Sequence, residues 1–535
     1  MKIDTFVPSS SFYKMQKATA RVTPWMALSG LLLLCIPLFM INIRDSHDWG
    51  DDYAQYIRQA INITEDKPQT ETAYLYDPEN AVLGPPAYQP GFPLMLAPLY
   101  AYFGNNIKAF QYLITAILSL TGLLVFLFFR RHFSVVVSFL LSLILLYNPW
   151  ILNFKAEIMA DIPFTFFFFG LYLLYTRRRG LNSFWWWPGI GLLIAIIILL
   201  RPAGLVFIPA MVMHCIFRMG KLFRARQSKQ AWLTLAKYGL AIVPAAALFF
   251  IVNNLIFNIP STALASYGHI FSLQSLGDTA RHNLAVYLEV IRSMFILKNE
   301  DWAFVPVILQ SLFLGLSVIG FVKKCLTRPA FMELLVAAYL TLLIIYPYEH
   351  GAMRFIIPLL PFLFYYCVVT ARTLISPLQG KWRKLLIWVA GCCILLTYKV
   401  SIEEMIRNRQ RTLWGPQDPF AVEVFEYIRT RLPEDAVIAF EKPRVLALYT
   451  GRRSCHAGYQ HGALRLAEKL SARGVAYILL PKFPIEEHQE DPMKELVKKG
   501  STEMTWIFRN RKFILYEVHH PGAKIPAKYY TRSKS

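Results

Sequence analysis

The chain has 535 residues, of which 55% are hydrophobic and 15% aromatic; only 17% are charged, and the mean hydropathy is +0.38. A soluble chain carries about 25% charged residues, so this balance excludes an ordinary soluble enzyme. The net charge of +22 does not mark a nucleic-acid binder, because no basic stretch carries a nucleic-acid fold signature and cytoplasmic loops of membrane proteins collect Lys and Arg. The seven cysteines form no CxxC pair or His-flanked cluster, which indicates neither a disulfide framework nor a zinc site.

Apolar runs recur from about residue 25 to about residue 400 and read as about eleven membrane spans, each needing about 20 apolar residues. The first, from about Pro24 to Ile43, follows Lys14, Lys17 and Arg21 with no small-residue cleavage site after it, and reads as an uncleaved first helix. Spans two to four cover roughly 107–129, 133–150 and 160–176. A tight pair at 185–200 and 203–217 turns at Arg201-Pro202, and later spans lie near 238–256, 302–321, 330–346, 355–375 and 385–400. With residues 1–22 placed in the cytoplasm, Arg130-Arg131, Arg177-Arg178-Arg179, Lys323-Lys324 and Lys381 all fall on the inner side. Residues 23–400 then form the membrane module, with outer loops at 44–106 and 257–301. An odd span count puts residues 401–535 outside. That tail reads as an α/β domain: Phe420–Arg431 is an amphipathic helix, and 436–440, 475–480 and 513–518 are strands.

The polar residues that stand out lie on the outer side. The first loop places Asp45, Asp48, Asp51 and Asp52 within eight residues. Asp51 and Asp52 head a helical pattern, where carboxylates serve equally as caps or as reactive groups. Tyr53, Tyr56, Ile57 and Ala60 form its apolar stripe, suited to lying on the membrane surface. Glu157 and Asp161, four residues apart, share one face at the head of a strongly apolar span. Acids at a span edge mark a functional site unless they pair with a neighbour such as Lys155. Arg201 and Arg354 sit at outer span ends, where a guanidinium binds phosphate bidentately or snorkels to head groups. Carboxylates able to deprotonate a hydroxyl, beside cations able to hold a phosphate, suit transfer from a phosphate-activated donor. Asn62-Ile-Thr64 matches a glycosylation sequon and reads as a chance match.

The order of these motifs resembles the GT-C superfamily of membrane glycosyltransferases, in the branch of protein O-mannosyltransferases and bacterial aminoarabinose transferases. Asp52-x-x-x-Tyr56 follows the first span, then Tyr88-Gln-Pro90-Gly-Phe-Pro93-Leu and Phe103-Gly104. Glu157-Ile-Met-Ala-Asp161 resembles the acidic second outer loop, and Arg354-Phe-x-x-Pro358-x-x-Pro361 the family's Arg-Tyr-x-x-Pro-x-x-Pro. Lys442-Pro-Arg444 and Thr450-Gly-Arg452 are similar to soluble tails of bacterial members. Two features depart from the pattern: the acidic pair is Asp-Asp rather than Asp-Glu, and Gly91-Phe92-Pro93 replaces a lysine-containing form.

The resemblance implies a polytopic helical fold and an inverting lipid-phosphate-sugar-dependent glycosyltransferase, hexosyl or pentosyl. The donor would be a polyprenyl-phosphate sugar and the acceptor a lipid, glycan or protein. It implies a catalytic set of Asp52, Asp51, Asp161 and Glu157, with Arg201 and Arg354 on the donor phosphate and Tyr53, Tyr56, Tyr88, Tyr348 and His350 lining the cavity. A divalent metal, Mg or Mn, is permitted but not required, with Asp52 and Asp161 as its carboxylates. The setting would be a bacterial inner membrane, with the active site and C-terminus extracytoplasmic. The competing class is a transporter or lipid flippase, whose polar residues would lie at mid-membrane in paired repeats; neither feature is visible.

Overall fold

The computed structural model describes residues 23–77, 84–177, 184–259, 273–295, 304–327, 329–346, 352–456, 463–485, 492–499 and 504–519. Among them, six helices are long and apolar enough to cross a membrane, and six shorter apolar helices accompany them. The chain is a multi-pass helical membrane protein with a small sheet domain at its C-terminal end.

The helices appear in the order α1 (Pro24–Cys35), α2 (Asp51–Thr64), α3 (Gly91–Phe103), α4 (Ile107–Arg130), α5 (Val135–Leu146), α6 (Pro149–Phe154), α7 (Asp161–Tyr175) and α8 (Trp186–Leu200). They continue with α9 (Phe207–Arg224), α10 (Ser228–Phe250), α11 (Leu273–Ser293), α12 (Phe304–Thr327), α13 (Phe331–Ile345), α14 (Ala352–Ile356), α15 (Leu360–Leu374) and α16 (Gly380–Arg407). Each of the apolar runs read as a span contains an apolar helix. A further one, α3, lies in the stretch read as a polar loop, where Pro93 and Pro98 break up the hydropathy signal. A second difference is α11: the loop of 257–301 holds a 21-residue helix. The buried Asn283 amide fastens α11 to α13 by donating to the carbonyls of Leu343, Ile344 and Tyr346 at 3.1, 3.0 and 2.5 Å.

Polar side chains fix the helix ends at the site. Asn106 accepts from the Ala109 amide at 3.2 Å and Asn148 from the Trp150 amide at 3.0 Å, so each starts its helix. The two acidic loops are knitted at their base. Asn42, at φ 52°, donates to the Leu152 carbonyl and to Asn153 Oδ1. Gln111 accepts from the Arg44 amide at 2.9 Å and donates to the Ala156 carbonyl at 3.1 Å. Lys155 is fully buried and donates to the Ile41 carbonyl, so it braces the loops rather than pairing with Glu157.

The apolar stripe of α2 faces protein. Tyr53, Ile57 and Ala60 are wholly buried and Tyr56 nearly so, because α3 and the C-terminal domain cover them. Asn62, in the sequon, is also buried, and its amide donates to the Pro68 and Glu71 carbonyls.

The C-terminal domain adds α17 (Pro419–Arg431), α18 (Pro443–Thr450), α19 (Ala463–Ala472) and α20 (Pro492–Lys499) to a five-stranded sheet. Its strands are β1 (Val437–Ala439), β2 (Arg453–Cys455), β3 (Tyr477–Pro481), β4 (Met504–Arg509) and β5 (Phe513–Val518), in the order β2-β1-β3-β5-β4. The β1, β2 and β3 strands are parallel, and β5 is antiparallel to both β3 and β4.

Two contacts seat this domain on the first loop. Trp49 is buried edge-on among Trp414, Phe425, Phe440 and Phe513, with centroids 5.3–6.2 Å away. Residues 73–75 pair with Ser454 at the β2 edge, and buried Asp77 meets Lys469 at 2.6 Å and Arg473 at 2.9 Å. The seat is tight: a Cβ on Gly415 would lie 1.9 Å from the His47 carbonyl oxygen.

Candidate active site

The site sits where the acidic loops, the α8–α9 turn, the start of α14 and α18 converge. The N-terminal end of α2 presents Asp51 and Asp52. Asp52 Oδ2 accepts from Arg354 Nη1 at 2.7 Å. Its Oδ1 accepts from the Tyr88 hydroxyl at 2.6 Å and from Arg444 Nη1 at 3.3 Å. Arg444 is almost fully buried; it also donates to the Tyr88 hydroxyl at 3.0 Å and to the Pro85 carbonyl at 3.0 Å. Gly84 makes room for that guanidinium: at φ +85°, with a Cβ that would fall 2.3 Å from Arg444 Nη2, only glycine fits. Asp51 caps α18 instead, its Oδ1 accepting from the Arg444 and Val445 amides at 3.1 and 3.3 Å. The two neighbouring carboxylates therefore have different work.

The second pair is Asp161, at the first turn of α7, with Arg201, which the extended backbone at the α8 terminus aims back into the site. Arg201 Nη1 is hydrogen-bonded to Asp161 Oδ1. The Arg201 and Arg354 guanidiniums both lie over the Phe355 ring, 4.9 and 5.1 Å from its centroid. Tyr56 stacks on Tyr88 at 4.6 Å and meets Phe92 edge-on at 5.0 Å, forming an aromatic wall beside Asp52. Tyr53 stacks on His47 instead, with centroids 3.7 Å apart. Tyr348 and His350 lie outside the described residues.

A third cluster was not anticipated as a unit. His47 Nδ1 lies 3.0 Å from Asp48 Oδ1, and its Nε2 lies 3.9 Å from Glu157 Oε2. The Asp48 carboxylate also accepts from the Gly50 amide at 2.9 Å. The signal in the sequence was the single histidine inside the aspartate run.

Electrostatics separate these carboxylates. Burial pushes Asp52 up, but the charges of Arg354 and Arg444 and the Tyr88 hydrogen bond outweigh it and hold the carboxyl well below the usual range. Burial raises Asp51, against the pull of Arg444 and Lys442. Glu157 rises to about 7, through burial first and then the Asp48 charge, opposed by His47 and Arg354. His47 goes to about 9: burial lowers it, but the Asp48 hydrogen bond and the charges of Asp48 and Glu157 prevail.

The fit of a divalent metal follows from these partners. Asp52 and Asp161 do not suit a shared ion, because arginines already occupy both carboxylates. His47, Asp48 and Glu157 do suit one. Their ligand atoms lie within 4.8 Å of one another, and buried His47 Nε2 has no hydrogen-bond partner among the described residues. One imidazole and two carboxylates form a donor set for Mn or Zn.

No family model matches the chain, and no curated protein matches it. Solved structures do. The chain is similar to the archaeal oligosaccharyltransferase AglB from Archaeoglobus fulgidus, solved with an inhibitory peptide and a dolichol-phosphate. That likeness has a TM-score of 0.53 at 13% identity, over 86% of this chain and 69% of that one. The chain is also similar to ArnT from Cupriavidus metallidurans bound to undecaprenyl phosphate, with a TM-score of 0.52 at 12% identity, over 92% of this chain and 98% of that one. The apo form of the same ArnT gives 0.51 at 13% identity. The polytopic helical fold expected from the motif order is thus the fold shared with the solved structures of AglB and ArnT.

Arg444 links α18 to both aspartates, so its loss is predicted to be costly. Arg444→Met leaves Asp52 with less compensation and should lower stability by about 3–5 kcal/mol. Thermal unfolding of the full chain in detergent reads this; an unchanged midpoint contradicts the assignment.

Proposed function

We propose that the chain is a glycosyltransferase that moves a sugar from a polyprenyl-phosphate donor to a hydroxyl of a lipid, glycan or protein acceptor, on the outer side of the cell membrane. The observation that carries this is the convergence of two carboxylate–arginine pairs, Asp52–Arg354 and Asp161–Arg201, at the end of an apolar helix bundle. A donor with a lipid tail and a phosphate head matches that boundary. The similarity of the fold to proteins solved with dolichol-phosphate and undecaprenyl phosphate supports the same donor class.

In this reading the free site holds its arginines on internal anions. A phosphate offers stronger, bidentate acceptors. As the donor phosphate takes Arg354 and Arg201, Asp52 loses its nearest counterion and its proton affinity rises. It then accepts the proton of the acceptor hydroxyl. The hydroxyl oxygen bonds to the sugar's anomeric carbon, and the bond from that carbon to the phosphate oxygen breaks. The electron pair leaves on the phosphate, where Arg201 and Arg354 stabilise it. Attack opposite the leaving group inverts the anomeric centre. Arg444 and Tyr88 keep Asp52 in place while Arg354 is engaged. A divalent ion held by His47, Asp48 and Glu157 would add positive charge beside the reacting groups. The charged groups sit at the bundle end rather than at mid-membrane, which disfavours the transporter reading.

Asp52→Asn is predicted to abolish transfer of labelled sugar from polyprenyl-phosphate donor in membranes while expression holds; full activity would remove Asp52 from the base role. For the pH profile, Glu157 with no ion bound gains its charge as pH rises through about 7, and only that charged form would hold a divalent ion. Asp52, held far lower, gives no limb there. The value of kcat/KM should therefore rise with pH through about 7 in the wild type, since it reports the free enzyme. That limb should vanish in Glu157→Gln; a limb of the same shape in the variant counts against a role for ionised Glu157.

A further inference from the structure

A cavity of about 520 Å³ lies apart from the arginine pairs, at the same end of the bundle. It forms where the end of α1, the start of α4 and the chain leaving α16 meet, and its wall combines two unlike halves. One half is cationic, from Arg44, Lys108, Arg409 and Arg411. The cavity wall holds a single carboxylate, Asp45, and Lys108 Nζ already takes it at 2.6 Å. Arg44 Nε donates to Asn42 Oδ1 at 3.0 Å, which holds its guanidinium toward the cavity wall. Arg409 and Arg411 are exposed. Arg44 is shifted down, by burial first and then by the charge of Arg411, which lines the same cavity. Like charges brought together are unfavourable until an anion bridges them.

The other half is apolar. Phe39 stacks on Tyr112 with centroids 6.2 Å apart, and Met40 beside them is 59% exposed. This surface continues down α1 through Ile36 and Leu33, at 60% and 65% exposure, which is the face a bilayer covers. A cationic rim above an exposed apolar slope is complementary to an anionic amphiphile. Its phosphate would bridge the guanidiniums and its acyl chains would lie along α1.

We propose that this cavity binds the phosphate head group of an anionic membrane lipid, at a site separate from the Asp52–Arg354 centre. The site does not depend on the transfer chemistry. Residues 44–46 line it, and residues 47–52 run directly on into the acidic clusters. An occupied cavity therefore braces the segment that carries Asp48, Asp51 and Asp52.

The test uses the purified full chain in detergent, titrated with dioleoyl phosphatidylglycerol, with dioleoyl phosphatidylcholine and with inorganic phosphate, and followed by native mass spectrometry. Phosphatidylglycerol should bind at one saturable site about tenfold or more tighter than phosphatidylcholine. Arg409→Gln/Arg411→Gln should lose at least about tenfold of that affinity, since charge-assisted phosphate contacts are each among the stronger hydrogen bonds. Both side chains are exposed, so the thermal midpoint should not move. Arg44→Gln should shift affinity in the same direction. Wild-type affinity in the double variant, or equal binding of the two lipids, overturns the proposal. Displacement of the lipid by an equal concentration of inorganic phosphate would make the ligand a free anion, and overturns the lipid assignment.

Discussion

The structure turns on one carboxylate held by two arginines that come from far along the chain. Asp52 is separated from Arg354 by 302 residues and from Arg444 by 392. Bringing two guanidiniums and a phenol onto a mostly buried carboxylate fixes three regions at once: the first acidic loop, α14 and the C-terminal domain. A carboxylate removed from water is costly unless paired and hydrogen-bonded. Each partner therefore constrains the others, and the knitting of the loops by Asn42, Gln111 and Lys155 keeps the frame that holds them.

This arrangement makes the C-terminal domain a wall of the site rather than an appendage. Trp49 anchors the domain through an aromatic cluster, Asp77 anchors it through two cations, and Asp51 caps α18 so that Arg444 enters beneath Tyr88. Asp51 and Asp52 are adjacent and similar, yet their partners divide them. One holds the domain on by capping a helix, and the other is left facing the arginine that a phosphate can claim. In the proposed mechanism that difference in partners gives the base role to Asp52.

Much of this centre was legible in the sequence because it obeys topology. Asp52, Asp161, Arg201 and Arg354 are ionisable groups at the ends of apolar runs, where an unpaired charge is expensive and therefore conspicuous. The aromatic positions Tyr56 and Tyr88 were legible by the same motif order. Arg444 was legible only as part of the Lys442-Pro-Arg444 motif; nothing in its local spacing showed that its guanidinium is buried against Asp52. The pairing of Arg354 with Asp52 and of Arg201 with Asp161 was equally invisible, since it depends on contacts between distant segments. Helix α3 hid behind its prolines. Helix α11 hid because its amphipathic pattern, with Asp278, Arg281 and His282 on the polar side, lacks the apolar length of a span. The stripe of α2 was seen, but its partner was not: a period of 3.6 shows that a face is buried, not whether lipid or protein buries it.

The central claim is that internal carboxylates and a donor phosphate compete for the same arginines. The direct measurement is equilibrium binding of a water-soluble polyprenyl phosphate to the purified full chain, wild type against Asp52→Asn and Asp161→Asn. Removing an internal competitor should tighten phosphate binding in each variant, by about tenfold for one lost charge-assisted pair, even though Asp52→Asn cannot transfer sugar. Phosphate binding that is unchanged or weaker in both variants would contradict the exchange and place the donor phosphate on other residues.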